Sequence, residues 1–577
     1  MTLVHFVGDT SLMLKVLTAE QMREVDRLTT ERYGIPSIIL MENAAHAVAR
    51  VITEKLGGSV KGKTILILCG RGNNGGDGAA LARLLGLEGA FVDVVLFGRI
   101  KDTKGDARTN FGVLCSEDFT YTDVYHSSFC ELREVNSKDE WNSIQIPLFN
   151  SADVIVDAIF GTGLTRPLEI WLYNVIHELN FLGEDPTPNP RIRVAVDIPT
   201  GLNSDSGHPL DIACQSDITV TFTAPKSGNI LPGAAGVNGE LVVSDIGSPQ
   251  ELIDEQDSRL FLADAADAQN WLENSKFTTS SYKNKRGHAL LIAGARIYSG
   301  AAVLCGDAAM RSGCGLVTIA TPEGSRESVA ARVLPEVMVR GIAETESGTI
   351  SEDAFGDLGD LLEKADSIAI GSGLSREDET KDFVRRIIEE RTTPIVIDAD
   401  GLTALAPWGL DANVENHPVP DISGATPLLR KEGSHSLILM PHEGEFRKLL
   451  GVEKDEFDAL IKDRVAAVRE FATKHNVILV LKGERVLIGH PDGRVVVNPT
   501  GNSGLGKAGN GDTLTGILAG FIAQAVQMKI DIFETVVAAV YVAGMAGDVA
   551  ERKFGKRVMT ASDVRECLVE VFEELPK

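Results

Sequence analysis

The chain lacks the positive charge that nucleic-acid-binding proteins normally carry. Lys and Arg total 56 against 82 Asp and Glu, which gives a formal net charge of −26. Because such proteins need a basic surface patch, we expect no nucleic-acid partner. An acidic chain can still bind an anion locally through backbone N–H groups, so a phosphate-bearing ligand is not excluded.

Cysteine pairs and membrane segments are lacking as well. The seven cysteines are an odd number, lie far apart and include no C-x-x-C, which argues against a disulfide framework and a zinc knuckle. The N-terminus has no basic region of the signal-peptide type. The most apolar helical segment, residues 514–526, is too short to span a bilayer. We therefore expect a soluble cytoplasmic protein with no membrane partner.

Short apolar runs alternate with helix-like segments over most of the 577 residues. This alternation, with strands apolar on both faces, predicts mainly parallel sheets covered by helices. Two helices, at 18–32 and 37–56, precede the first strand, and Thr18 and Gln21 have the spacing of a capping box. The predicted strands comprise residues 64–69, 92–97, 154–159, 194–198, 218–222 and 241–244, then 289–293, 317–320, 367–370, 395–397, 437–440, 477–481 and 494–497.

No repeat relates the two halves of the chain, so we expect two different α/β domains. They comprise residues 15–246 and 277–577. An N-terminal extension precedes them at 1–14, and an acidic, poorly periodic linker joins them at 247–276. Residues 103–150 are polar and irregular, and we interpret much of that segment as a surface insertion.

A glycine-rich loop after the first strand matches G-x-G-x-x-G through Gly70, Gly72 and Gly75. A nicotinamide-dependent dehydrogenase would place an acidic residue roughly 20 positions further on, at the end of the second strand. The sequence has Arg99 there, which could instead favour a 2′-phosphate. Asn and Asp side chains in the loop are not needed for a plain pyrophosphate cradle, so the dehydrogenase interpretation is weakened.

Polar residues follow three strands of the first half, at 72–78, at Asp157 with 161–163, and at 197–201. Ligands of parallel sheets gather at the carboxyl ends of the strands. Each loop alone would be interpreted as a turn. The three together predict a site whose oxygens surround a cation, hydroxyls or a phosphate.

The second half ends in a glycine-rich loop, residues 498–512, that leads directly into an apolar helix. Unpaired N–H groups and the helix dipole favour a phosphoryl group there. The loop is not a P-loop, because Lys507 is followed by Ala508. Asp512 could act as a base toward an attacking hydroxyl or simply cap the helix. His442 and Lys482 each follow a strand, at the same predicted edge.

The motifs GSGL, DADGL, PHEGEF, LKG, NPTGN and GNGDTLTG, in this order, resemble the ADP/ATP-dependent NAD(P)H-hydrate dehydratases across residues 280–575. The set GNNGGDG, DAIFGTG, DIPTG and TFTAPK resembles the NAD(P)H-hydrate epimerase domain across residues 15–245. Their succession is typical of bifunctional repair enzymes. The resemblance implies a Rossmann-like N-terminal parallel sheet with helices on both faces and a C-terminal ribokinase-like α/β/α domain.

The resemblance also implies residue roles. A potassium ion would be bound by Asn74, Asp157 and Thr200 in the first domain. The hydrated nucleotide would contact the first domain through Asn73, Asn74, Gly75, Gly76, Asp77, Gly161, Thr162, Gly163, Leu164, Thr165, Arg166, Pro167 and Asp197. In the second domain, the hydrate would contact Ala301, Gly373, His442 and Asp512, and the adenine nucleotide would contact Lys482, Gly483, Glu484, Arg485, Val486 and Gly511. Ala508 and Asn510 depart from the Gly and Thr that relatives often have.

The implied function is repair of NADHX and NADPHX, the hydrated forms of NADH and NADPH. The C-terminal domain would use ADP, with Mg²⁺, to turn the C6 hydroxyl of the S epimer into a phosphate leaving group, releasing AMP and phosphate. Asp512 would take the hydroxyl proton, and the N–H groups of residues 509–511 would hold the phosphoryl group. The N-terminal domain would interconvert R and S epimers, with Asp197 as the candidate acid/base and Lys226 as a weaker one.

An alternative function remains open at this point for each half of the chain. A small-molecule kinase of the same fold would phosphorylate a vitamin alcohol and leave a stable phosphoester. The N-terminal half would then be a nucleotide-binding module without catalysis. We also expect a homo-oligomer.

Overall fold

The computed structural model describes residues 4–7, 13–115, 130–181, 191–408 and 436–575. They divide into two units, Met1–Leu262 and Ala263–Lys577. The strands of the first unit are β1 Val4–Val7, β2 Leu14–Lys15, β3 Thr64–Cys69, β4 Phe91–Phe97, β5 Cys130–Val135, β6 Val154–Ala158, β7 Ile192–Val196, β8 Ile218–Phe222, β9 Glu240–Ser244 and β10 Leu260–Leu262. Its helices are α1 Ala19–Tyr33, α2 Ser37–Lys55, α3 Asn73–Leu87, α4 Gly105–Leu114, α5 Lys138–Ser151, α6 Ile170–Phe181, α7 Ser227–Ile230, α8 Ala235–Asn238 and α9 Gln250–Asp254.

Eight strands of the first unit form one parallel sheet in the order β5-β4-β3-β6-β7-β8-β9-β1, and β2 pairs antiparallel with β10. From β3 the chain continues to β4 and β5 on one side of the sheet. It then returns to β6, next to β3, and continues through β7, β8 and β9 on the other side. The order therefore reverses between β3 and β6, whose carboxyl ends flank the crevice where such sheets bind ligands.

Helices cover both faces of this sheet. Ile65 and Ile67 of β3 pack with α2 and α3, whereas Leu66 and Leu68 pack with α5 and α6. Alternate residues of a strand point to opposite faces, so a strand apolar throughout must be covered twice. The predicted Rossmann-like arrangement of the first domain is confirmed.

The second unit carries nine strands in the order β13-β12-β11-β14-β15-β16-β17-β18-β19, parallel from β13 to β17 and antiparallel thereafter. These are β11 His288–Ile292, β12 Leu316–Pro322, β13 Met338–Ile342, β14 Ser367–Ile370, β15 Ile395–Ile397, β16 Leu437–Leu439, β17 Ile478–Leu481, β18 Val486–Gly489 and β19 Val495–Asn498. The helices are α10 Ala265–Asn274, α11 Ser299–Arg311, α12 Glu323–Ala330, α13 Ala354–Asp357, α14 Gly359–Lys364, α15 Asp378–Glu389, α16 Ala399–Ala404, α17 Glu443–Leu450, α18 Lys454–Leu460, α19 Arg464–His475, α20 Asn510–Met528, α21 Ile532–Phe554, α22 Ala561–Glu566 and α23 Leu568–Glu574.

Helices α11 and α20 approach closely because both carry small residues at the contact. A Cβ on Gly516 would lie 2.1 Å from the Cys305 carbonyl oxygen, and one on Gly520 would lie 2.0 Å from Ser312 Oγ. Among the described helices, α21 is long and apolar enough to cross a bilayer, but 89% of its apolar window is buried inside the protein. It has the character of a core helix, and it exceeds the segment at 514–526 in length.

The second sheet confirms the predicted α/β class of the C-terminal domain, and the boundary between the two units, after Leu262, lies within the segment predicted as a linker. Three segments that were expected to be irregular nevertheless contain helices and strands. Residues 103–150 contain α4, β5 and α5, and residues 247–276 contain α9, β10 and α10. Val4–Val7 in the predicted extension forms β1, which pairs with β9. Residues 1–3, 8–12 and 116–129 of these segments lie outside the described residues. All seven cysteines are described and free, as expected for a chain without disulfides.

Candidate active sites

The three glycine-bearing loops of the first unit meet at the carboxyl ends of β3, β6 and β7. A Cβ on Gly70 would lie 1.9 Å from the Ile159 carbonyl oxygen, and one on Gly75 would lie 1.8 Å from the Gly70 carbonyl oxygen. These two glycines of the G-x-G-x-x-G match are therefore required for loops to pack against each other and against the start of α3.

Asp157 and Thr200 form a buried pair beneath these loops. One Asp157 carboxylate oxygen accepts from Thr200 Oγ1 at 2.6 Å, and the other accepts from the Thr200 backbone N–H at 2.8 Å. Burial raises the pKa of Asp157, although the hydrogen bonds from Thr200 oppose it. In the described part of the chain no Lys, Arg or His side chain pairs with this carboxylate. A monovalent cation bound there would compensate its charge.

Asn74, in the first turn of α3, faces Asp197 across Gly161. Its Nδ2 is buried and has no hydrogen-bond partner among the described residues. A Cβ on Gly161 would lie 3.2 Å from Asn74 Oδ1 and 3.4 Å from Asp197 Oδ2. Because Gly161 has no side chain, the space between this amide and this carboxylate stays open, and a single methyl group there would contact both; we call this space the Gly161 cradle.

Asp197 is held by Lys226. Its backbone adopts a left-handed conformation with φ of 67°, which is uncommon for a residue with a side chain. The Lys226 ammonium donates to Asp197 Oδ1 at 2.7 Å and to Thr221 Oγ1 and the Phe222 carbonyl oxygen, each at 2.9 Å. Three donors meet three protein acceptors, so Lys226 has no N–H left for a substrate, whereas Asp197 Oδ2 remains turned to the cradle.

Two more carboxyl groups share this site. Burial raises the pKa of Asp77 well above its usual range, and the nearby Asp197 and Asp26 charges raise it further. Asp26, in α1, was not predicted from the sequence. Its side chain reaches solvent, yet desolvation by the surrounding protein raises its pKa to about 6; the Lys226 charge opposes this shift and the Asp197 charge adds to it. A charged residue on an amphipathic helix is normally interpreted as surface, so the sequence carried no signal for Asp26.

The remaining predicted epimerase residues lie around this centre. Gly75 and Gly76 are buried in the first turns of α3, where Asn73 is exposed. The loop from Gly161 to Pro167 is partly to fully exposed, as a binding loop at a crevice would be, and comprises Gly161, Thr162, Gly163, Leu164, Thr165, Arg166 and Pro167.

In the second unit, the N-terminus of α20 faces the ends of β15 and β17. Gly509 precedes the helix with φ of 93°, and no side chain caps the helix. Burial raises the pKa of Asp512 in the first turn, and the charge of Asp398 raises it further. A Cβ on Gly511 would lie 3.8 Å from Lys482 Nζ. An uncapped helix N-terminus, a lysine and a partly buried carboxyl group are therefore brought together.

His442 caps the helix α17 beside Lys482, with which it forms a parallel bridge. Its Nδ1 accepts from the backbone N–H groups of Gly444 at 3.0 Å and Glu445 at 3.3 Å. A neutral imidazole therefore carries its proton on Nε2, and the side chain is 61% exposed. Its position allows that N–H to meet a ligand.

Ala301 and Gly373, predicted to contact the hydrate, are neighbours. A Cβ on Gly373 would lie 3.0 Å from Ala301 Cβ and 2.9 Å from Tyr298 Cβ, and the φ of 66° at Gly373 also favours glycine. Tyr298 and Ile297 beside them are exposed by 51% and 77%. These two exposed apolar residues were not predicted, although they precede α11 directly.

The nucleotide residues at 482–486 differ in accessibility. Gly483 and Glu484 are exposed and Val486 is half-buried, but Arg485 is buried and its guanidinium donates to the Pro499 carbonyl oxygen. The Lys507 ammonium also bonds to the protein itself, because it donates to the carbonyl oxygens of Arg557 and Met559. Asn510, where relatives often have Thr, donates to the Leu505 carbonyl oxygen at 3.0 Å. This hydrogen bond holds the glycine-rich loop against the start of α20.

Family models match both halves of the chain. A model described as NAD(P)H-hydrate dehydratase matches residues 289–569, and one described as YjeF-related protein N-terminus matches residues 37–228.

Full-length relatives match over nearly the whole chain. The bifunctional NAD(P)H-hydrate repair enzyme Nnr of Moorella thermoacetica is 36% identical over 564 residues, which cover 97% of each protein. The Nnr of Thermofilum pendens is 33% identical, covering 95% of this chain and 94% of that protein. The crystal structure of an ADP/ATP-dependent NAD(P)H-hydrate dehydratase from Bacillus subtilis, 29% identical, matches 52% of this chain and 94% of its own, with a TM-score of 0.42.

Proposed function

The chain belongs to the family of bifunctional NAD(P)H-hydrate repair enzymes, and on that premise we propose which residues carry each reaction. The epimerase reaction is assigned to the first unit and the dehydratase reaction to the second. The kinase alternative is not favoured, because the relatives that match the whole chain are repair enzymes.

In the epimerase site, Asp197 is the proposed acid/base. The observation that supports this is the free Oδ2 of Asp197, which faces the Gly161 cradle while Oδ1 is held by Lys226. Lys226 is then a positioning residue, because its ammonium is saturated by protein oxygens. The hydrated nicotinamide would occupy the cradle, and the exposed loop at 161–167 would contact the rest of the nucleotide.

Potassium would bind at Asn74, Asp157 and Thr200. The buried Asp157 carboxylate has no basic partner among the described residues, and carboxylate, hydroxyl and amide oxygens are the donor types that a hard cation prefers. The ion would supply positive charge beneath the bound hydrate and fix the loop that carries Thr200.

In the dehydratase site, Asp512 would take the proton of the C6 hydroxyl of the S hydrate as that oxygen attacks the β-phosphorus of ADP. The P–O bond to AMP breaks, and the new phosphate ester then leaves C6 as a C5 proton is lost, which regenerates the dihydropyridine. The N–H groups of residues 509–511 and Lys482 would hold the transferred phosphoryl group. The observation that carries this assignment is Asp512 in the uncapped first turn of α20, where Lys482 approaches Gly511.

Mg²⁺ would come with the nucleotide. Mg²⁺ is commonly bound through substrate phosphates and water with few protein ligands. It would neutralise phosphate charge during the transfer. The cytoplasmic location and the homo-oligomeric state stay predictions from the sequence.

The assignment is tested with mixed R and S NADHX and either ADP or ATP, by following recovery of the reduced-nicotinamide absorbance. We expect full recovery with AMP and phosphate as the products from ADP. Asp512→Asn should lower the dehydration rate by about 10²-fold or more, the scale of general-base removal, while epimerisation persists. Unchanged release of AMP by this variant, or a stable phosphoester as the product, would contradict the proposal.

A further inference from the structure

One buried carboxyl group at the dehydratase site has no part in the reaction described above. Asp398 follows β15, and its side chain is only 2% exposed. It occupies the N-cap position of α16 but makes no capping hydrogen bond there. Because a buried carboxylate is costly unless it is paired, its partners indicate what it does.

The partners of Asp398 come from two other elements of the site. Lys482 Nζ, after β17, donates to Asp398 Oδ1 at 2.6 Å, and Thr515 Oγ1, in α20, donates to Oδ2 at 3.0 Å. A Cβ on Gly511 would lie 3.4 Å from Asp398 Oδ2. Asp398 therefore lies against the first turn of α20 and holds the lysine that approaches that turn.

We propose that Asp398 is a positioning residue for phosphoryl transfer, which fixes the Lys482 ammonium beside the N-terminus of α20, where the nucleotide phosphate binds. This inference rests on the proposed roles of Lys482 and Asp512. Fixing a lysine side chain costs conformational entropy. The charge-assisted bond to Asp398 already fixes Lys482 in the folded protein, so nucleotide binding does not have to supply that entropy cost. Glu445 Oε2, 3.9 Å from Lys482 Nζ, is a second and weaker restraint.

Asp398 also acts on Asp512 through its charge. The charged groups that face Asp512 are Asp398 and Asp400, which raise its pKa in addition to burial, and Lys482, which lowers it. Loss of the Asp398 charge should therefore lower the pKa of Asp512. Since the base acts in its deprotonated form, the acidic limb of the dehydratase rate profile should move to lower pH.

The test compares Asp398→Asn with Thr515→Val in the full-length enzyme, with purified S hydrate and ADP across a pH series. D398N should raise the KM for ADP at least tenfold and move the acidic limb of kcat to lower pH. T515V removes the hydrogen bond to Asp398 Oδ2 but keeps the Asp398 charge and its ion pair with Lys482. The KM for ADP should therefore change less than twofold, and the acidic limb of kcat should not shift.

Further variants separate the possible outcomes. Asp398→Glu keeps the charge but displaces it, so it should raise the KM for ADP and leave the acidic limb of the kcat profile in place. The same variant tests the proposal if D398N does not fold. Equal losses in D398N and T515V without a pH effect would show a purely structural role and overturn the proposal, as would an unchanged KM in both D398N and D398E. Failure of the proposed chemistry is recognised separately, by retained AMP release in D512N.

Discussion

At the scale of single residues, Gly161 is the position where the smallest substitution should have a specific effect on epimerisation. Its backbone does not need glycine, but a methyl group would lie 3.2 Å from Asn74 Oδ1 and 3.4 Å from Asp197 Oδ2. Gly161→Ala should therefore lower epimerase kcat/KM by about 10- to 100-fold, because it occupies the space proposed for the nicotinamide.

Gly112 in α4 provides a control outside the proposed binding loop. A Cβ there would have open space, and its backbone is likewise unstrained. We expect Gly112→Ala to retain epimerase activity within about twofold, and both variants to dehydrate purified S hydrate normally. Conversion of R to S hydrate, coupled to an excess of the Asp197→Ala enzyme as a dehydratase without epimerase activity, measures the difference. Equal activity of the two variants would place the substrate elsewhere.

At the scale of elements, the contact between α11 and α20 supports the dehydratase site. Gly516→Ala would place a methyl group 2.1 Å from the Cys305 carbonyl oxygen, so the two helices must separate. Overpacking of this kind costs about 1–3 kcal/mol, more than the gain in helix propensity. We expect a lower unfolding temperature for the second unit, measured as loss of dehydratase activity after heating.

Gly356→Ala is the control for this helix contact. Gly356 lies in α13 with open space around its Cβ position, so the same substitution should leave the unfolding temperature unchanged or slightly raised. A Gly516→Ala enzyme as stable as Gly356→Ala would show that α11 and α20 can separate without cost.

Sequence patterns predicted the central strands well and the edge strands poorly. The ends of β3, β8, β14 and β15 match their predictions, because these strands are buried on both faces and read as continuous apolar runs. Among the strands that were not predicted, β5 and β13 lie at sheet edges and contain exposed or half-buried residues next to buried ones. The short strand β18 was missed as well, although it is mostly buried and lies between β17 and β19. Edge position depends on long-range pairing, which a local pattern does not reveal.

The residues of the two candidate sites also divide into those that the sequence predicted and those that it did not. Loops at strand ends predicted Asn74, Asp157, Thr200 and Asp197. The structure pairs Asp157 with Thr200 and brings Asn74 and Asp197 to the two sides of Gly161. Asp26 gave no such indication, because it lies on an outer helix. Asp398 begins the DADGL motif after a strand, but its partner Lys482, 84 positions away, was not predicted. Partners so distant in sequence are defined only once the sheet has formed.

At the scale of the whole molecule, the two reactions reside in separate units and should fail independently. Asp197→Ala should dehydrate purified S hydrate at a near-normal rate and, with mixed epimers, stop once the S form is consumed, apart from slow spontaneous epimerisation. Asp512→Asn should interconvert the epimers but recover almost no reduced nicotinamide.

An equimolar mixture of these two variants should then repair mixed epimers completely, because each supplies the site that the other lacks and the hydrate diffuses between them. The progress curve of the mixture, compared with wild type at the same concentration of each intact site, measures how far release into solution limits the overall rate. A mixture that stops where Asp197→Ala alone stops would mean that the Asp512→Asn enzyme supplies no S hydrate, which would contradict the independence of the two sites. Assay of the Asp512→Asn enzyme on pure R hydrate checks this directly, because an intact epimerase site converts R hydrate to S hydrate there without any dehydratase activity.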